Sequence, residues 1–254
     1  MTMDSVLGAL AEETTALRYL VADLDEAGWA TITPSEPWTI TDQVGHLAYF
    51  DEQAALAVGD PDGFAAGVNR DAEVLAGDVA ALHRRRGLDG AATLAWWISA
   101  RHRVLEAFAG VDPEVRVPWY GPPMRARSAI VARLMETWAH GIDVGDALGT
   151  ALPVTDRLFH VADLGVRTFS WSYRLRGFEV PDDRVRVALR GISGTTRIWN
   201  NESSASITGP VEEFCLVVAQ RRNVADTHLV LEGGLARQWM EIAQVFAGPA
   251  GRGR

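Results

Sequence analysis

The chain has 254 residues, of which 48% are hydrophobic, and a formal net charge of −9. This much apolar content excludes a disordered polymer and is enough for one large core or two modest ones. The negative balance argues against nucleic acid or an anionic membrane surface as the main partner.

Asp4–Glu26 is predicted to form the first helix, with Val6, Leu10, Leu17, Leu20, Val21 and Leu24 at helical spacing. Gly28 and the proline-containing segment Thr33–Trp38 end it. Thr39 and Asp42 fit a capping box that opens a second helix running to about Val58, where residues 59–63 form a turn cluster. On that helix His46 shares a stripe with Phe50, Gln53 and Ala57. Asn69–Leu82 is expected to be a shorter polar helix ending at the exposed Arg84, Arg85 and Arg86. Leu88–Ala109 is a third long helix, its core side marked by Leu94, Trp97, Ile98 and Leu105. Residues 110–125, rich in proline, are expected to be irregular and to lead into a fourth long helix, Ala126–Leu148. Four long helices with short connections predict a helix bundle over residues 1–150.

After Gly149 the pattern changes. Val154–Leu175 reads as an amphipathic helix, whereas Arg184–Leu189, Thr195–Trp199 and Ala205–Ile207 alternate or branch like strands. Pro210–Arg222 returns to helix, His228–Leu231 reads as a strand, and Leu235–Phe246 closes with a helix. Residues 151–248 therefore form a smaller α+β domain, and the Gly/Arg tail at 249–254 is expected to be disordered.

Several chemistries are excluded at once. Cys215 is the single cysteine, so there is no intrachain disulfide and no CxxC metal or redox motif; its neighbours Phe214, Leu216 and Val217 read as core. All 24 basic residues are arginine, which removes lysine nucleophiles and Schiff bases and points to a GC-rich genome. The N-terminal stretch lacks the features of a secretory signal, and the apolar runs LAWWISA and FCLVVA are too short to span a bilayer, so a cytoplasmic protein is expected.

What remains is concentrated on the fourth helix. At about 100° per residue, Glu136, His140 and Asp143 fall within an arc of roughly 60° that also holds Ala129, Ala132 and Ala147. Polar groups among alanines suit a crowded interior better than a solvated face, and Ile130, Val131, Leu134, Trp138 and Ile142 make the opposite arc apolar too. Glu136 and His140 at i, i+4, with His46 from the second helix, form a credible metal site, since zinc accepts imidazole nitrogen and carboxylate oxygen and three protein ligands leave a position open. Spacing alone does not exclude a surface ion pair or a metal-free buried cluster.

Three stretches, Pro37-Trp38-Thr39, Val44-Gly45-His46-Leu47 and Glu136-Thr-Trp-Ala-His140-Gly-Ile-Asp143, resemble the DinB/YfiT-like metalloproteins. More narrowly they resemble the branch related to mycothiol-dependent maleylpyruvate isomerase, and Ile207–Cys215 is similar to the helix entry of that branch's C-terminal α+β domain. The resemblance implies a DinB-like four-helix bundle followed by a small α+β domain, with His46, Glu136 and His140 as ligands to a divalent metal, zinc first. It implies mycothiol as cosubstrate and a small electrophilic substrate: a metal-stabilised thiolate adds to an electrophilic carbon, giving S-transfer or, after bond rotation and elimination, isomerisation.

Asp143 is a candidate to orient the site or handle a proton, or else a helix-surface carboxylate. Arg221 or Arg222 is a candidate fork for a substrate carboxylate across the domain interface, or else an ordinary cation near a helix end. Trp119, Tyr120 and Met124, between prolines, suit either a rigid lid beside the metal or a hydrophobic plug. His83, His102, His160 and His228 have no partnered spacing and are taken as surface or structural residues. A binding protein with a structural metal, and a metal-dependent hydrolase or lyase, remain alternatives on the same ligands. Substrate and oligomeric state are not legible.

Overall fold

A computed structural model describes residues 2–251, and the chain divides into two compact units, Met1–Leu152 and Pro153–Arg254. The first unit holds α1 (Met3–Val21), α2 (Glu26–Trp29), α3 (Ile40–Gly59), α4 (Pro61–Arg70), α5 (Ala72–Ala76), α6 (Ala81–Arg84), α7 (Gly90–Phe108), a two-stranded hairpin β1 (Arg116–Val117) and β2 (Met124–Arg125), and α8 (Ala126–Leu148). Its four long helices are α1, α3, α7 and α8. α3 packs along α7 and α8, and α1 along α8.

Their apolar faces close over Leu17, Val21, Trp29, Ile40, Val44, Leu47, Ala48, Trp97 and Val144. Each fully buried large side chain contributes about 1.5–3 kcal/mol. α3 starts where the sequence places its capping box: the Thr39 hydroxyl accepts from the Asp42 N–H, and the Asp42 carboxylate accepts from the Thr39 N–H. α8 stops at Gly149, whose φ of 65° suits glycine.

Some segments differ from expectation for local reasons. The helix expected over Asp4–Glu26 ends at Val21, and Asp25 caps the separate turn α2 by accepting from the Gly28 N–H at 2.8 Å. The turn cluster at 59–63 starts a helix as well as ending one, because Asp60 caps Gly63 and Pro61 occupies the first turn of α4. The single helix expected over Asn69–Leu82 is instead the end of α4 followed by α5 and α6. The irregular 110–125 segment contains the β1–β2 hairpin.

The arginines after α5 are half-exposed and individually paired: Arg84 with Asp42 at 2.7 Å, Arg85 with Asp71 at 3.0 Å, and Arg86 with Glu52 at 2.6 Å. His83, beside them, is buried and contacts Asp42 at 3.1 Å, so it is a structural residue rather than a surface one.

Deeper in the bundle lies a charge cluster that joins all four long helices. The fully buried Asp51 carboxylate on α3 accepts from Arg101 Nε on α7 at 2.9 Å and from Arg133 Nε on α8 at 2.9 Å. Arg101 also donates to Thr14 on α1 and, at 2.9 Å, to Thr137 on α8. Arg133 Nη2 reaches the Leu47 carbonyl at 3.4 Å.

The second unit holds α9 (Leu158–Arg167), α10 (Phe169–Leu175), β3 (Val185–Arg190), β4 (Thr196–Trp199), β5 (Ala205–Pro210), α11 (Val211–Val218), β6 (Val230–Glu232) and α12 (Gly234–Ile242). The sheet order is β4-β3-β5-β6, with β3 and β5 parallel and the outer pairs antiparallel. Val185, Val187 and Leu189 alternate into a core that includes Ile207, Phe214, Cys215 and Trp239. The helix expected over Val154–Leu175 breaks at Thr168, whose hydroxyl donates back to the Leu164 and Gly165 carbonyls. Of the tail expected to be disordered, 252–254 lie outside the described residues, whereas Pro249 and Gly251 are hydrogen-bonded to Gln244. No helix among the described residues is long and apolar enough to cross a membrane.

Removing the Asp51 carboxylate leaves two buried guanidinium groups facing each other. Asp51→Ala is expected to cost about 3–5 kcal/mol in urea unfolding. A loss below about 1 kcal/mol would show that the cluster is not holding the helices together.

Candidate metal centre

α3 and α8 run alongside each other and bring His46, Glu136 and His140 together. The i, i+4 spacing on α8 stacks Glu136 under His140, whose Nε2 lies 3.2 Å from Glu136 Oε2. His46 Nε2 approaches the same oxygen at 3.7 Å, and the imidazole centroids are 4.6 Å apart. One ligand atom from each residue falls within a 4.8 Å cluster. Zinc–ligand bonds of ~2.0–2.2 Å in tetrahedral geometry separate donor atoms by ~3.3–3.5 Å, which the His140–Glu136 and His46–Glu136 separations of 3.2 and 3.7 Å bracket. The donor set therefore fits a divalent metal of borderline softness.

The surroundings are aromatic and largely buried, with Glu136 partly open to solvent. Trp38, in the loop before α3, lies 5.2 Å from the His46 ring and stacks on His140 at 6.0 Å. Phe50, one turn along α3, is 4.6 Å from His46. Burial pushes the His46 imidazole down to about 3, although the neighbouring Glu136 carboxylate opposes it. Burial acts to raise the Glu136 carboxyl, but the two histidines outweigh it and hold the group well below the usual carboxylate range. The result is a neutral His46 and an ionised Glu136 near neutral pH, the forms that bind a cation.

The supporting contacts include residues the sequence reading did not select. Gln43, fully buried one turn before His46, accepts through Oε1 at His140 Nδ1 and donates from Nε2 to Thr33 Oγ1 at 2.7 Å. Asp143 is fully buried and accepts from Ser35 Oγ at 3.0 Å, tying the loop that carries Trp38 to α8. On the other side of α3, Gly45 lies against His83: a Cβ there would meet the ring at 2.8 Å. The only sequence signals for Gln43 are its i−3 spacing from His46 and its place on an otherwise apolar helix face.

Trp119 and Tyr120 pack on Phe50 at 6.3 and 5.4 Å and on Phe64 at 5.9 and 5.3 Å. An aromatic chain thus runs from the β1–β2 hairpin through Phe50 to His46. Burial raises the Tyr120 phenol strongly. Arg221 and Arg222 follow α11 in the second unit, where Arg221 Nη1 donates to the Ala219 carbonyl at 2.8 Å and Arg222 Nη1 to the Arg221 carbonyl at 2.6 Å. His102 and His228 are exposed and paired with Glu106 and Glu213, and His160 is half-buried.

The sequence profile of the mycothiol maleylpyruvate isomerase N-terminal domain matches residues 10–145. The chain belongs to this family. The match spans α3 to α8 and so includes the whole three-residue cluster. Uncharacterized proteins from two Mycobacterium tuberculosis strains, CDC 1551 / Oshkosh and ATCC 25618 / H37Rv, are each 42% identical over 247 residues, covering 96% of both chains. The crystal structure of the mycothiol-dependent maleylpyruvate isomerase superposes with a TM-score of 0.56 at 15% identity, covering 87% of this chain and 90% of that one. A mutant of the same isomerase gives the same values. The mycothiol maleylpyruvate isomerase fold, a helical N-terminal domain with a small α+β C-terminal domain, is thus the fold of this chain.

The metal-binding reading is tested by elemental analysis of protein prepared with added zinc. Close to one ion per chain is expected, falling to near zero in His46→Ala; an unchanged content in that variant would remove His46 from the ligand set.

Proposed function

We propose that this protein is a metal-dependent enzyme that uses mycothiol as cosubstrate, acting as an isomerase or S-transferase on a small electrophilic substrate. His46, Glu136 and His140 would hold the ion, zinc being the first choice for two imidazoles and a carboxylate. The observation that carries the reading is the convergence of these three side chains inside an aromatic pocket, in a chain of the mycothiol maleylpyruvate isomerase family. A bound divalent ion supplies charge that keeps a thiol ionised near neutral pH.

The protein's own side chains set the conditions. His46, Glu136 and His140 would hold the ion through two imidazole nitrogens and one carboxylate, a donor set whose single formal negative charge would leave a bound divalent ion net positive toward an anionic thiolate. Trp38 and Phe50 cover faces of the His46 imidazole. The chain needs no cysteine nucleophile of its own, and Cys215 is buried with its thiol pushed well above the ordinary range by that burial.

Asp143 and Arg221 remain the proposed catalytic groups. Asp143 is suited to hold a proton or to fix the Ser35 loop, and Arg221 to grip a substrate carboxylate as a bidentate fork. A metal-dependent hydrolase sharing these ligands would differ in using water as its nucleophile. Titration of mycothiol into the cobalt-substituted protein separates the two readings. The visible and near-ultraviolet bands of the metal are expected to shift as a sulfur ligand joins, and spectra unchanged at saturating thiol would favour the hydrolase.

A further inference from the structure

The hydrogen bonds behind His140 run in one direction only. The Trp38 carbonyl can only accept, and it receives both the Thr33 N–H at 2.8 Å and the Thr33 hydroxyl at 2.9 Å. A hydroxyl has a single hydrogen, so Thr33 Oγ1 must act as an acceptor toward Gln43, which approaches it at 2.7 Å. That requirement places the Gln43 amide nitrogen on the Thr33 side and turns its carbonyl oxygen toward His140 Nδ1. Nδ1 must then carry the ring's hydrogen.

We infer that Gln43 is a positioning residue that, anchored through Thr33 on the Trp38 carbonyl, sets the tautomer and ring orientation of His140 so that its Nε2 lone pair faces Glu136 and His46. In the neutral ring, Nε2 and Glu136 Oε2 are then two acceptors 3.2 Å apart, an arrangement that a cation between them makes favourable. The relay is dry: Gln43 and Thr33 are buried, so water does not supply a substitute acceptor. It also explains why the segment 33–38 belongs to the site although none of its side chains supplies an atom to the ligand cluster. Trp38 acts twice, with its indole stacked on His140 and its carbonyl fixing the first hydrogen of the relay.

The inference deepens the metal-centre reading and rests on it for its purpose, but the hydrogen placement can be measured without metal. Nitrogen-15 NMR of the metal-free full chain is expected to show His140 Nδ1 protonated; a bare Nδ1 with the hydrogen on Nε2 alone overturns the relay. Zinc affinity, measured by competition with a chromogenic chelator, supplies the second readout. Gln43→Leu is expected to bind zinc roughly 10–100-fold more weakly, as outer hydrogen-bond partners of metal-bound histidines typically require. Gln43→Glu retains an acceptor and is expected to stay within roughly three-fold of wild type, and Thr33→Val, which releases the amide orientation, to fall between them. Equal losses in the Leu and Glu variants, or a Leu variant with wild-type affinity, would overturn the assignment. If the wild type holds no zinc, the metal reading fails while the NMR result still decides the relay.

Discussion

The first unit depends on a single carboxylate. Asp51 sits in the dry centre of the bundle between Arg101 and Arg133, and through Thr14 and Thr137 the same cluster reaches every long helix. Two buried guanidinium groups around one carboxylate would repel each other in any looser arrangement. Apolar side chains can slide past one another at modest cost, but this cluster is satisfied only when α1, α3, α7 and α8 hold one axial register. That register matters because Arg133 lies one turn before Glu136 on α8, and Asp51 lies five residues after His46 on α3. A slip of either helix at the charge cluster would separate the ligands above it.

The site itself is built from three kinds of support. The helices supply position, with the i, i+4 pair on α8 facing a residue of α3. The aromatic rings of Trp38 and Phe50 supply cover over the imidazoles, and the partial burial strengthens the electrostatic interactions within the cluster. The loop before α3 supplies direction, through hydrogen bonds that begin at a backbone carbonyl. Metal sites whose ligands have fixed orientations need little rearrangement on binding, and the Thr33–Gln43–His140 contacts hold the His140 ring of the candidate site in place.

The convergence of His46, Glu136 and His140 was legible in the sequence because each has a chemical signature. Glu136 and His140 stand at helical spacing among alanines, and His46 interrupts an apolar stripe. The fold class was legible from helix lengths, from the change of pattern after Gly149 and from the resemblance to the mycothiol isomerase branch. Gln43 and Thr33 were not, because neutral polar residues mark no chemistry until the loop folds back over α3. Asp51, Arg101 and Arg133 are so far apart in sequence that each reads as an ordinary surface charge. The segmentation of α4–α6 was missed for a related reason: the pieces are held by Asp60 capping and by paired arginines rather than by an apolar period.

Those paired arginines give the bundle two electrostatic regimes. The Asp51 cluster is shielded from solvent ions, whereas the guanidinium ends of Arg84, Arg85 and Arg86 are half in water and bind the end of α6 and the residues after it to Asp42, Asp71 and Glu52 largely by charge. Dissolved salt weakens the second set and leaves the first intact. Because α6 carries His83, and His83 leans on Gly45 directly beside His46, ionic strength acts on the wall behind the candidate metal centre while the helices that frame it stay in place.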